Sequence, residues 1–142
     1  MKLLKNKKFM LSNCKIFEIE SFLDKRGGLS YLQEGRGVPF PIERVYYLYN
    51  TKAIHIRGIH AHKKLQQVIF AVSGRFKIKL DDGKSSKIII LDKPNKGLYV
   101  SPMIWRELTP LEDNGVCIVL ASRKYEEDDY IHNYKEYLSL VG

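Results

Sequence analysis

Cysteine is scarce in this chain of 142 residues: Cys14 and Cys117 are too few to frame a disulfide scaffold. They lie far apart, Cys117 within the apolar run Val116 to Ala121, which fits buried free thiols in a cytoplasmic protein. No apolar run approaches the ~20 residues that a bilayer-spanning helix needs, so no membrane span is expected. The opening MKLLKNKKFML is basic and then briefly apolar, but no small-residue cleavage site follows, and no secretory leader is expected. Repeats, linkers and low-complexity stretches are missing too. A chain of this length is expected to form one domain, residues 1–142, burying roughly 68–70% of its unfolded surface.

Acidic side chains are also outnumbered, 16 against 24 Lys and Arg, which leaves a net charge of +8. A basic surface can serve nucleic acid or a small phosphorylated substrate. The lysines are scattered (Lys2, Lys5, Lys7 and Lys8, then Lys77, Lys79, Lys84 and Lys87), and the later ones alternate with core positions. That pattern describes solvated strand faces. The expected partner is a small anion, with no nucleic acid and no membrane.

What the chain has in quantity is short strands. Lys15 to Phe22 alternates apolar and polar residues, with Ile16, Ile19 and Phe22 as the inward set. Asp24 to Gly28 (DKRGG) is a turn, Leu29 to Gln33 a strand, and Gly35 to Pro41 a loop punctuated by Gly and Pro. Glu43 to Asn50 is rich in β-branched and aromatic residues. Arg75 to Leu80 alternates strictly, the turn Asp81-Asp82-Gly83 follows, and Lys87 to Leu91 pairs back. Asp92 to Gly97 turns again before Leu98 to Val100, Trp105 to Leu108 and Val116 to Ala121. Glu126 to Leu140 reads as a helix, acidic in its first turn, with Tyr130, Tyr134 and Tyr137 on one face. Short strands at close intervals argue for an all-β fold, an antiparallel sandwich or barrel, with one helix at its end.

The chemistry gathers in Arg57 to Gly74, RGIHAHKKLQQVIFAVSG. His60 and His62 are two apart on a strand, so both imidazoles leave the same face. Arg57 stands three residues before His60, and Gln67 five after His62. A pair of imidazoles is a common start to a Zn, Fe or Mn site. The HxH pair resembles the start of the cupin metal pattern, in which a glutamate follows and a later strand supplies a third histidine; here the glutamate positions hold Gln66 and Gln67, neutral amides and poor ligands. Arg106 stands near where a third histidine would come, and a guanidinium repels a dication. Glu107 is a substitute ligand spoiled by that neighbour. The histidines are then free for acid–base work near neutrality, and Arg57 and Arg106 are suited to a phosphate or an enolate oxygen.

Six blocks together resemble one family: RVYY (Arg44 to Tyr47), RGIHAHK (Arg57 to Lys63), Gln67, the DDG turn, GLYVSPMIWRELT (Gly97 to Thr109) and VLASRKYEEDDYIHNY (Val119 to Tyr134). They are similar to the metal-free cupins that are dTDP-4-keto-6-deoxy-D-glucose 3,4-ketoisomerases, also called WxcM-like. The resemblance runs from about the DKRGG turn to the C-terminal helix. It implies a jelly-roll antiparallel β-barrel with a short C-terminal helix, usually a homodimer with exchanged N-terminal strands. It implies no cofactor and no metal. The reaction it implies moves the keto group of a dTDP-linked 4-keto-6-deoxy sugar from C4 to C3, toward 3-amino-3,6-dideoxy sugars of surface glycans.

By the same resemblance His60 is the catalytic base, and His62 polarises the oxygens or shuttles the proton. Arg57 neutralises the diphosphate with help from Lys63, Tyr47 or Tyr49 hydrogen-bonds the sugar, and Gln67 orients a histidine or a hydroxyl. Arg26 and Arg106 are expected at the mouth, where they bear on which face of C4 is protonated; both gluco and galacto products stay open. Two rivals remain: a 3,5-epimerase-like cupin acting on the same nucleotide sugar, and a cupin that binds a sugar nucleotide without turnover.

Overall fold

In Phe76–Asp81 alternate side chains are sealed from water: Phe76, Ile78 and Leu80 are fully buried while Lys79 is exposed. That two-residue repeat is how each strand contributes to a shared interior. The computed structural model describes residues 10–142; the basic segment 1–9 lies outside them. The strands are β1 (Lys15–Glu18), β2 (Glu20–Asp24), β3 (Gly27–Tyr31), β4 (Gln33–Glu34), β5 (Gly37–Val38), β6 (Arg44–Leu48) and β7 (Arg57–His62). There follow β8 (Gln67–Ser73), β9 (Phe76–Asp81), β10 (Ser86–Leu91), β11 (Lys96–Val100), β12 (Trp105–Pro110), β13 (Val116–Ala121) and β14 (Tyr130–Ile131), then the helix α1 (Tyr134–Val141).

Two five-stranded sheets carry the fold, ordered β1-β11-β8-β13-β6 and β10-β9-β12-β7-β14, and all their pairings are antiparallel. From β6 to β13, strands that follow one another lie in different sheets, apart from the β9–β10 hairpin, the crossing habit of a jelly roll. Ile69, Leu98 and Val119 from the first sheet meet Ile78, Leu91 and Leu108 from the second in one core. Truncating any of the five Leu or Ile residues among these to Ala would cost about 2–5 kcal/mol. The sheets face each other as a sandwich; among the described residues they are not joined by hydrogen bonds into a closed barrel. No helix there is long and apolar enough to cross a membrane.

The ends depart from the sequence reading. Ile19 is buried, but Ile16 and Phe22 are 50% and 57% exposed. The chain leaves β1 at Ile19, whose N–H donates to Asn95 O at 2.7 Å, and β2 then pairs only with β3 as a separate hairpin. One inward phase therefore cannot run across both strands. The C-terminal helix covers eight residues rather than the expected fifteen. Asn133 caps it, its side chain accepting from Glu136 N at 3.0 Å. The acidic run before it forms a 3-10 turn, Glu127–Asp129, and Tyr130 belongs to a strand beside β7. The carboxylate of Asp129 explains the change. It accepts from Lys64 N (2.8 Å) and Leu65 N (3.2 Å), which ties this segment to the turn after His62. Helix α1 lays the buried Tyr137 ring beside Trp105, with centroids 5.6 Å apart.

Candidate active site

β7 delivers both histidines to the space between the sheets. Its ladder with β12 places His60 opposite Arg106 and Arg57 opposite Leu108, so three residues of β7 span two of β12. The extra residue makes a bulge containing Gly58, at φ +61°. Without the bulge, Arg57 would fall on the opposite face from His60. A side chain at Gly58 would meet Arg106 Nη1 at 2.9 Å and Leu108 Cδ1 at 3.1 Å, and the left-handed φ is itself costly for other residues. Glycine is required there twice over.

Arg106 is the unusual member of the site. It is only 2% exposed, and among the described residues no carboxylate pairs with it. Its Nη2 donates to Tyr46 Oη at 2.8 Å and to His60 Nε2 at 3.1 Å. Gln67, from β8, accepts from Tyr46 Oη at 3.3 Å through Oε1, and its Nε2 lies 3.2 Å from His62 Nδ1. Arg106 Nε and His62 Nε2 are buried without partners among the described residues. The interior thus holds a cation with no counter-ion and two donors kept vacant, an arrangement suited to a developing oxyanion. Since the guanidinium already uses the lone pair of His60 Nε2, this donor set does not fit a dication.

Burial and then the Arg106 charge push both imidazoles far down from ~6.5, His60 to about 3 and His62 to about 2. Both rings are neutral at pH 7. The Tyr46 phenol is pushed upward by burial and stays protonated. Tyr130 roofs the pair, its ring centroid 4.9 Å from His60 and 4.4 Å from His62, with Arg44 Nη2 donating to its hydroxyl at 3.4 Å. His132 stacks on Tyr130 at 5.4 Å and comes within 5.9 Å of the His60 ring.

His60, His62, Gln67 and Arg106 are therefore together, but Arg106, expected at the mouth, lies in the interior instead. Arg57 shares the His60 face and is exposed at the rim, and Lys63 is exposed on the adjoining turn. Gln67 is 1% exposed and bonded at both ends of its amide, so it braces the histidine rather than lining open space. Tyr47, on the outer face of β6, and Tyr49, just past its end, are not among the residues gathered here: each is 60% exposed, their rings tilted against each other at 5.8 Å. The alternation of β6 turns Tyr46 and Arg44 inward instead, a signal present in RVYYL once the phase is taken from the core residue Leu48. Arg26 is not brought in by its own chain. It sits on the β2–β3 turn with its side chain 90% exposed, paired to Asp24 at 2.6 Å. Tyr130 and His132 were hidden by reading their segment as helix.

The chain is similar to known proteins along nearly its whole length. Residues 12–142 match the family model described as FdtA: WxcM-like, C-terminal. A curated protein of Aneurinibacillus thermoaerophilus, TDP-4-oxo-6-deoxy-alpha-D-glucose-3,4-oxoisomerase, is 42% identical over 131 residues, 90% of this chain and 94% of its own. The crystal structure of a 3,4-ketoisomerase from Helicobacter canadensis superposes with a TM-score of 0.88 at 41% identity, covering 91% of this chain and 97% of that one. That of QdtA, a sugar 3,4-ketoisomerase from Thermoanaerobacterium thermosaccharolyticum in complex with TDP, gives 0.89 at 39% identity, covering 93% and 96%.

Proposed function

The chain belongs to the FdtA (WxcM-like, C-terminal) family and is an isomerase of the 3,4-ketoisomerase kind, and we propose that it moves the ketone of a TDP-linked 4-keto-6-deoxyglucose from C4 to C3. The observation that carries the mechanism is the 3.1 Å contact between Arg106 Nη2 and the neutral His60. When a sugar oxygen takes that guanidinium donor, Nε2 regains its lone pair beside the cation. His60 then accepts the proton of C3, and the C3–H electrons form the C3=C4 bond while the C4 oxygen becomes an enolate held by Arg106. The hydroxyl proton of O3 passes to O4, the imidazolium returns its proton to C4, and O3 is left as the ketone. No electron leaves the sugar, so no redox partner is needed.

Arg57, exposed on the same face at the rim, takes the diphosphate, with Lys63 beside it. The whole chain, 1–142, acts as one cupin-type catalytic domain. It works in the cytoplasm, which its two buried free thiols support, and its product serves the making of 3-amino-3,6-dideoxy sugars for surface glycans. We further propose a homodimer with exchanged N-terminal strands. Phe22, Leu23 and Leu29 on the free hairpin are 57%, 82% and 62% exposed. A groove of about 840 Å³ between the hairpin and the outer sheet face is lined by Leu23, Val45, Phe70 and Val72. Apolar surface of this kind on both sides fits a second copy, which would bring Arg26 to the neighbouring site. Sedimentation is expected to give a dimer that Leu23→Asp with Leu29→Asp converts to monomer; a wild-type monomer at micromolar concentration would refute it.

The decisive experiment on the reaction uses the 4-keto nucleotide sugar in deuterated water, read by NMR. The expected product has its ketone at C3. A ketone retained at C4 with label at C3 and C5 identifies an epimerase, and an unchanged, unlabelled substrate identifies a binding protein.

A further inference from the structure

The interior hydrogen bonds form a chain whose direction is set from its arginine end. A guanidinium donates and never accepts, so the 2.8 Å contact is a donation from Arg106 Nη2 to Tyr46 Oη. The single proton of Tyr46 then goes to Gln67 Oε1 at 3.3 Å. This leaves the NH2 end of the amide toward His62, donating to Nδ1 at 3.2 Å. In a neutral ring that accepts at Nδ1, the proton sits on Nε2. That nitrogen is buried and has no partner among the described residues, and a vacant buried donor in a native interior asks for an explanation.

The same arginine imposes the opposite state on the neighbouring ring. Its donation to His60 Nε2 at 3.1 Å leaves the proton of His60 on Nδ1. Two imidazoles with centroids 4.6 Å apart are thus held as different tautomers, one accepting at Nε2 and the other donating there.

We propose that Gln67 is a positioning residue whose amide locks His62 in the Nε2–H tautomer, so that His62 serves as a neutral hydrogen-bond donor to the sugar oxygen on which charge develops. The proposal deepens the ketoisomerase reading and rests on it for the identity of the oxygen; the tautomer itself does not depend on that reading. His62 keeps its proton throughout, and the hydrogen that moves between carbons travels on His60.

Gln67→Glu tests this at nearly constant shape, because a carboxylate accepts where the amide donated and draws the His62 proton to Nδ1. Nitrogen-15 NMR of histidine-labelled protein is expected to find His62 as Nε2–H in the wild type and carrying an Nδ1 proton in the variant. Turnover is expected to fall about 10²-fold with KM changed only a few-fold, as for loss of one donor to an oxyanion. In a His62→Asn background, Gln67→Glu should lower kcat little further. If the glutamate variant does not fold, Gln67→Met takes its place, and His62 should then show a mixture of tautomers. An Nδ1–H tautomer for wild-type His62 overturns the proposal, as does a loss of kcat from Gln67 substitution that persists undiminished without His62. A wild-type protein with no isomerase activity would refute the ketoisomerase reading and leave the NMR result standing.

Discussion

His60→Asn is expected to lower turnover by about 10²–10⁴-fold, the range supplied by a positioned acid–base group, while thymidine diphosphate binding changes no more than a few-fold. Asparagine ends about where the imidazole Nδ1 does and gives up the Arg106 contact at Nε2, but the buried guanidinium keeps Tyr46 Oη as its acceptor at 2.8 Å, so the fold is retained. What it cannot do is take up the C3 proton. The diphosphate contacts assigned to Arg57 and Lys63 lie outside this exchange. Kinetics of ketone migration beside titration calorimetry with thymidine diphosphate provide the check, and near-normal turnover in the variant would remove His60 from its role.

Arg106→Met should separate stability from activity. The wild-type residue buries a charge with 2% exposure and no carboxylate partner among the described residues. Apolar replacements of buried charges are often neutral or stabilising, by about 1–4 kcal/mol. A rise in the unfolding midpoint is therefore expected together with a loss of turnover of at least about 10²-fold, since the enolate oxygen loses its cation. Acid sensitivity should change too. In the unfolded chain both histidines take up protons near the ordinary ~6.5, but in the folded protein only near about 3 and about 2. Their contribution to stability is complete above pH ~6.5 and erodes as pH falls, by up to ~1.4 kcal/mol per unit for each ring. Removing the Arg106 charge raises both folded values, so the erosion ends at a higher pH and totals less. Denaturant melts between pH 7 and 4 measure this, and a variant less stable than wild type at pH 7 with an unchanged acid slope would contradict it.

Much of the fold was legible because it rests on a local two-residue repeat. Phe76, Ile78 and Leu80 announce their burial in six residues of sequence, as do His60 and His62 their shared face. The errors fall where a distant partner overrides the local pattern. Glu126 to Asp129 look like the first turn of a helix, yet Asp129 is committed to backbone donors at Lys64 and Leu65, more than sixty positions away. Tyr46 was passed over for Tyr47 and Tyr49 because three tyrosines in four positions leave the phase ambiguous until Leu48 is known to pack on the core. Arg26 shows a further kind of illegibility: its motif was recognisable, but no property of its own turn says that it stands away from the histidines of its own chain.

The extra residue in β7 also acts as a ruler. Arg57 and His60 are three positions apart, but because they span only two rungs of β12, their separation along the strand is nearer ~7 Å than the ~10 Å of an unbroken strand. On the proposed assignment, the bulge draws the Arg57 anchor about one residue closer to His60 along the strand, so the spacing between phosphate and reacting carbon is set partly by the backbone and not by side-chain length alone.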